Sequence, residues 1–125
     1  MIVFSHIHLP REQQPGVQRR CVAARAQGVQ GFEAWHYIID AGAEAVFDVQ
    51  AEEAVLLSGE GVGKLELPCG PQRLQSPCTV KLPVQQQTRL VNIGAVAIKL
   101  LLVCTPAAAA SEASPASTGG PQPAA

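Results

Sequence analysis

Nowhere in its 125 residues does the chain offer the roughly 18 consecutive apolar residues of a membrane-spanning helix, and a helical membrane span is excluded. The opening stretch, Met1 to His8, has neither the basic n-region nor the unbroken apolar core of a secretory signal, so a soluble cytoplasmic protein is expected. Charge of one sign is also missing: nine Lys and Arg against ten Asp and Glu leave a formal net charge of -1. Phosphate backbones attract a basic excess, and without one neither nucleic acid nor a membrane is an expected partner. The four cysteines (Cys21, Cys69, Cys78, Cys104) contain no C-x-x-C pair. In a reducing compartment they are expected to be thiols, mostly buried. No Ser, His and Asp set, and no Cys with a His partner, can be assembled, so no catalytic residue is assigned. Convincing helical periodicity is absent as well, the Ala-rich Ala41 to Ala45 being weak evidence for a helix.

What the chain does have is punctuation and alternation. Turn formers recur at short intervals, among them Pro15-Gly16, Asp40-Ala41-Gly42, Gly70-Pro71 and Asn92-Ile93-Gly94. Between them, short apolar-polar runs predict strands at Ile2 to Leu9, Arg20 to Ala24, Phe32 to Ile39, Ala54 to Leu57, Gly63 to Leu67, Cys78 to Leu82, Thr88 to Asn92 and Ala95 to Cys104. The last is the clearest: Val96, Ile98, Leu100, Leu102 and Cys104 share one face and Lys99 takes the other. Many strands without a helix predict an all-β sandwich or small barrel over residues 1–105. From Pro106 the composition collapses to Ala, Ser, Pro and Gly with one charge, Glu112, and residues 106–125 are expected to be a disordered tail.

Individual features carry weak chemistry. His6 and His8 at i and i+2 would share one side of a strand, but two ligands without a third make a poor metal site. Gly59-x-Gly61-x-Gly63 has the glycines of a phosphate loop but no helix after it, so it reads as a turn joining two strands. Glu52 and Glu53 are adjacent, and on a strand they would point to opposite faces. His36, within Trp35-His36-Tyr37, is either a hydrogen-bonded structural imidazole or a proton carrier near a pocket.

Between Gly42 and Asn92 the spacing of Gly, Glu, Pro and Asn resembles the two motifs of the cupin family, G-x5-H-x-H-x3-4-E-x6-G and G-x5-P-x-G-x2-H-x3-N. Counting from Gly42 places Asp48 and Gln50 in the histidine slots and Glu52 in the glutamate slot, seven residues before Gly59. Counting back from Glu52 instead moves the histidine slots to Val46 and Asp48, or to Ala45 and Phe47. In the second motif Pro77 replaces the first glycine, Pro83 matches the proline, Gln85 replaces the second glycine, Thr88 replaces the histidine and Asn92 matches the asparagine.

The resemblance implies a cupin-type jelly-roll β-barrel, a homodimer formed through sheet edges, and a metal site of three imidazoles and a carboxylate, of which this chain has no imidazole. Asp48, Gln50, Glu52, Thr88 and His36 are therefore pocket candidates rather than assigned metal ligands. The expected function is that of a metal-free cupin, without cofactor, acting as a small-molecule binding or dimerisation module. The alternative is a metal-dependent enzyme for a small polar or carboxylated metabolite, with a divalent ion on an unconventional oxygen set. A plainer reading has Asp48 and Gln50 in solvent while Phe47 and Val49 face the core.

Overall fold

The alternation read from Ala95 to Cys104 resolves into a central strand: Ile98, Leu100 and Leu102 are buried while Lys99 is exposed. Val96 lies before the strand, in a bend, and is exposed. The computed structural model describes residues 2–105, so the expected tail at 106–125 lies outside the described residues. Ten strands form: β1 (Glu12–Gln14), β2 (Val17–Ala23), β3 (Glu33–Ile39), β4 (Glu44–Asp48), β5 (Ala54–Glu60), β6 (Val62–Leu67), β7 (Gly70–Gln75), β8 (Cys78–Lys81), β9 (Gln87–Asn92) and β10 (Ile98–Cys104). They build a six-stranded sheet in the order β1-β2-β3-β10-β5-β8 and a four-stranded sheet in the order β4-β9-β6-β7, every pairing antiparallel.

The inner faces of both sheets enclose one core, in which Ile39, Leu56, Leu90 and Ile98 have no exposed surface. Each such side chain contributes about 1.5–3 kcal/mol on burial. The outer face of the four-stranded sheet is charged: Arg89 reaches Glu44 at 3.4 Å and Glu66 at 3.7 Å, and Lys64 reaches Glu66 at 3.4 Å. Exposed pairs of this kind add little stability, so this face is built for water.

Gly61 turns the chain from β5 in one sheet to β6 in the other, so the glycine run joins strands of different sheets rather than a hairpin. It has φ +102°, and a Cβ there would stand 2.8 Å from the Cα of Ile98. Only glycine fits that corner without strain.

Four strand assignments differ from the sequence reading, one being the short, exposed β1, which the sequence reading lacks and which pairs with β2. Ile2 to Leu9 is not a strand but carries a 3-10 turn at His6–His8, so those imidazoles do not share a strand face. Nearly every side chain of that segment is exposed, and no buried face exists to hold it in a ladder. Conversely, β4 and β7 were hidden by Ala-rich and Gly-Pro composition, and their pairing with β9 and β6 overrides that weak local preference.

Candidate functional site

The inner face of β2 and β3 continues past the core to one end of the barrel. Register places Arg19 beside Tyr37 and Cys21 beside Trp35, with Leu102 and Cys104 of β10 beside Trp35 and Glu33. Opposite them, Phe47 of β4 and Val49 and Ala51 of the following loop close a cavity of about 190 Å³. Phe47 forms its floor, packed edge to face on Tyr37 with ring centroids 5.0 Å apart. Gln85 holds the loop: its amide donates to the Val49 carbonyl at 2.9 Å and its Nε2 donates to the Ala51 carbonyl at 3.2 Å. Gln85 also has φ +63°, the left-handed conformation for which the resembled motif carries a glycine.

Arg19 is fixed at the rim. Its Nε donates to Glu12 at 2.8 Å, its Nη1 to the Tyr37 hydroxyl at 3.4 Å, and its guanidinium lies 4.8 Å over the Trp35 ring. The Tyr37 hydrogen bond holds the guanidinium even above its ordinary basicity. With Arg19 already neutralised by Glu12, the charges left at the mouth are the carboxylates of Glu33 and Asp48. Burial pushes the Cys104 and Cys21 thiols upward, and Glu33 adds to the shift.

Two consequences follow for the cysteines. Against the expectation of mostly buried thiols, Cys21, Cys78 and Cys104 are only half-buried free thiols, and Cys69 is exposed because the β6–β7 turn carries it into solvent. Iodoacetamide at pH 8 is expected to label Cys69 well before Cys21 and Cys104, as read by peptide mass spectrometry; equal rates would contradict this burial. The unfolded thiols ionise first, near pH 8.5. The contribution of Cys21 and Cys104 to stability is therefore complete below that pH and lost as pH rises through their raised folded values.

The structure separates the residues that the resemblance grouped. β4 is buried at Ala45 and Phe47 and exposed at Glu44, Val46 and Asp48. Of the three motif registers, the one with Ala45 and Phe47 in the histidine slots therefore faces the interior. Phe47 stands opposite Thr88, which is 1% exposed with a hydroxyl that has no hydrogen-bond partner. Asp48 and Gln50 sit together at the lip of the cavity, Gln50 Nε2 donating to Asp48 Oδ1 at 2.8 Å. Glu52 is exposed, and its backbone amide donates to Thr105 Oγ1 at 2.9 Å. His36 lies on the outer face of the six-stranded sheet, because on β3 the odd-numbered Trp35, Tyr37 and Ile39 point inward.

A three-imidazole metal centre does not fit this interior, where Ala45, Phe47, Ala51 and Thr88 offer one hydroxyl between them. Among the described residues no three or more His, Cys, Asp or Glu side chains gather closely enough to hold an ion. The sequence reading missed Arg19, Glu33 and Trp35; the one available signal for Glu33 and Trp35 was the parity they share with Tyr37, and Arg19, on another strand, had none.

No protein-family model and no curated protein matches the sequence. Solved structures do. Ectoine synthase from P. lautus is similar with a TM-score of 0.70 at 18% identity, over 85% of this chain and 78% of that one. A Cupin 2 conserved barrel domain protein from Salinispora arenicola has a TM-score of 0.67 at 15% identity, over 86% and 89%. The cupin domain of a transcriptional regulator from Enterobacter cloacae has 0.61 at 10%, over 72% and 96%. Enzymes and regulatory domains thus share this architecture, and fold alone does not choose between them. No helix among the described residues is long and apolar enough to cross a membrane. Two antiparallel sheets closed around one core, open at one end, and matched by these neighbours give the chain the cupin fold.

Proposed function

We propose that the chain is a metal-free binding module whose ligand is a small molecule with a flat apolar body and a cationic group. The observation that carries this is the composition of the barrel mouth: Trp35, Tyr37 and Phe47 line it, Arg19 covering one face of the Trp35 ring, and Glu33 and Asp48 supply negative charge that Arg19 does not neutralise. Aromatic faces and carboxylates together favour an organic cation. At about 190 Å³ the cavity is smaller than the ~300–1,000 Å³ typical of drug-sized ligands, which suits a single-ring metabolite. The homodimer implied by the resemblance belongs to the same proposal, and a monomer by light scattering would count against it.

Trp35 is the one tryptophan of the chain and lines the cavity, so its emission reports occupancy directly. Benzylamine and benzoate have similar bodies and opposite charges. Benzylamine is expected to change Trp35 emission saturably, at least tenfold more tightly than benzoate, and Glu33→Gln is expected to remove most of that preference. A tighter benzoate complex would assign the mouth to anions through Arg19. Silence toward both would sink the binding proposal.

A further inference from the structure

On the other face of the six-stranded sheet, positive charge gathers without a carboxylate to balance it. Arg20 of β2 is directly opposite His36 of β3. Arg11, one residue before β1, continues the register that pairs Glu12 with Arg19 and so comes opposite Arg20. The row Arg11-Arg20-His36 borders a concavity of about 170 Å³ whose other lining residues are Gln18, Arg19 and Ile38. Cations placed opposite one another across strands repel. Among the described residues Arg11, Arg20, Arg25 and Arg73 form no ion pair, whereas Arg19, Lys64, Lys81, Arg89 and Lys99 do, and Arg11 Nη1 donates only to the neutral Gln18 Oε1, at 3.1 Å. Arg20 Nε is moreover buried and without a hydrogen-bond partner, an unmet donor beside the same concavity. Burial holds the His36 imidazole below its ordinary value, and His6, Arg20 and Lys99 push it the same way.

We infer that this row is a binding site for a small multivalent oxyanion of the phosphate type, distinct from the barrel mouth. A guanidinium presents paired donors that match phosphate oxygens, and such an anion would satisfy Arg20 Nε while relieving the repulsion along the row. The inference does not depend on the proposed ligand of the mouth, which lies on the opposite face of the sheet.

The test is isothermal titration of inorganic phosphate into the full chain, with the imidazole of His36 followed by NMR. Saturable binding is expected, with the His36 titration midpoint raised by phosphate. Affinity should fall at least tenfold in Arg20→Gln and also in Arg11→Gln, an exposed position whose replacement does not threaten folding. Glu33→Gln at the mouth should leave phosphate binding unchanged. Equal affinity in wild type and both arginine variants, absence of saturable heat, or loss of binding in Glu33→Gln would each overturn the assignment. Capture by phosphatidic acid vesicles that free phosphate does not compete away would overturn it in favour of a membrane surface.

Discussion

Replacing Phe47 with Ala is expected to cost about 3–5 kcal/mol, the range for truncating a buried aromatic. Phe47 is 2% exposed and bridges the sheets, since it belongs to β4 in one and packs on Tyr37 of β3 in the other. Both strands are held by their own ladders, β4 to β9 and β3 to β2 and β10, so the space left by the ring cannot collapse freely. A residual cavity adds to the lost transfer energy, and the edge-to-face pair is lost with it. Against a typical stability of 5–15 kcal/mol this is a large fraction. The melting temperature should fall by roughly 4 °C or more for each kcal/mol. Phe47→Leu should retain much of the stability. A urea-derived unfolding free energy for Phe47→Ala within about 1 kcal/mol of wild type would mean that the ring does not join the sheets as described.

Asn92→Ala is expected to destabilise by about 3 kcal/mol without removing any apolar contact of consequence, because its effect runs through hydrogen bonds. The side chain is 2% exposed. Nδ2 donates to the carbonyls of Ile39 and Val96, both at 2.9 Å, and Oδ1 accepts from the Gly94 amide at 2.9 Å. Its backbone is also bonded at both ends, accepting from Gly42 and donating to Ala43. One residue thus ties the turn between β9 and β10 to the end of β3 and to the turn before β4. Alanine leaves those carbonyls unsatisfied at about 1–3 kcal/mol each where no water can enter. Asn92→Asp separates hydrogen bonding from shape: at pH 7 it presents a charge to two carbonyls and should fall at least as far as alanine. Because that setting raises the carboxyl pKa, part of the stability should return as the pH drops through the raised value. A pH-independent Asn92→Asp variant as stable as wild type would refute this account.

Asn92 also shows how much of the fold was legible beforehand. It matches the asparagine of the second cupin motif by spacing alone, and the structure supplies the reason for an amide there: two carbonyls to receive and one N–H to meet. The same holds for Gln85, whose positive φ explains why the resembled motif carries a glycine. The histidine slots were not legible in this way. Glu44 to Asp48 alternates, and a one-residue shift of register moves every side chain to the opposite face. Spacing from Gly42 favoured Asp48, whereas burial places Ala45 and Phe47 inside.

By itself, then, the sequence determined the β class, the turns, the buried face of Ile98 to Cys104 and the resemblance to a barrel family, because these depend on period-2 alternation and turn chemistry within a few residues. Tertiary structure alone decided the rest. Which face of β4 looks inward depends on Phe47 meeting Thr88 and Tyr37, residues 41 and 10 positions away. The mouth formed by Arg19, Glu33 and Trp35, and the cationic row of Arg11, Arg20 and His36, arise from cross-strand register. No local spacing encodes that register; it is set when the two apolar faces close on one core and every other side chain must take the position left to it.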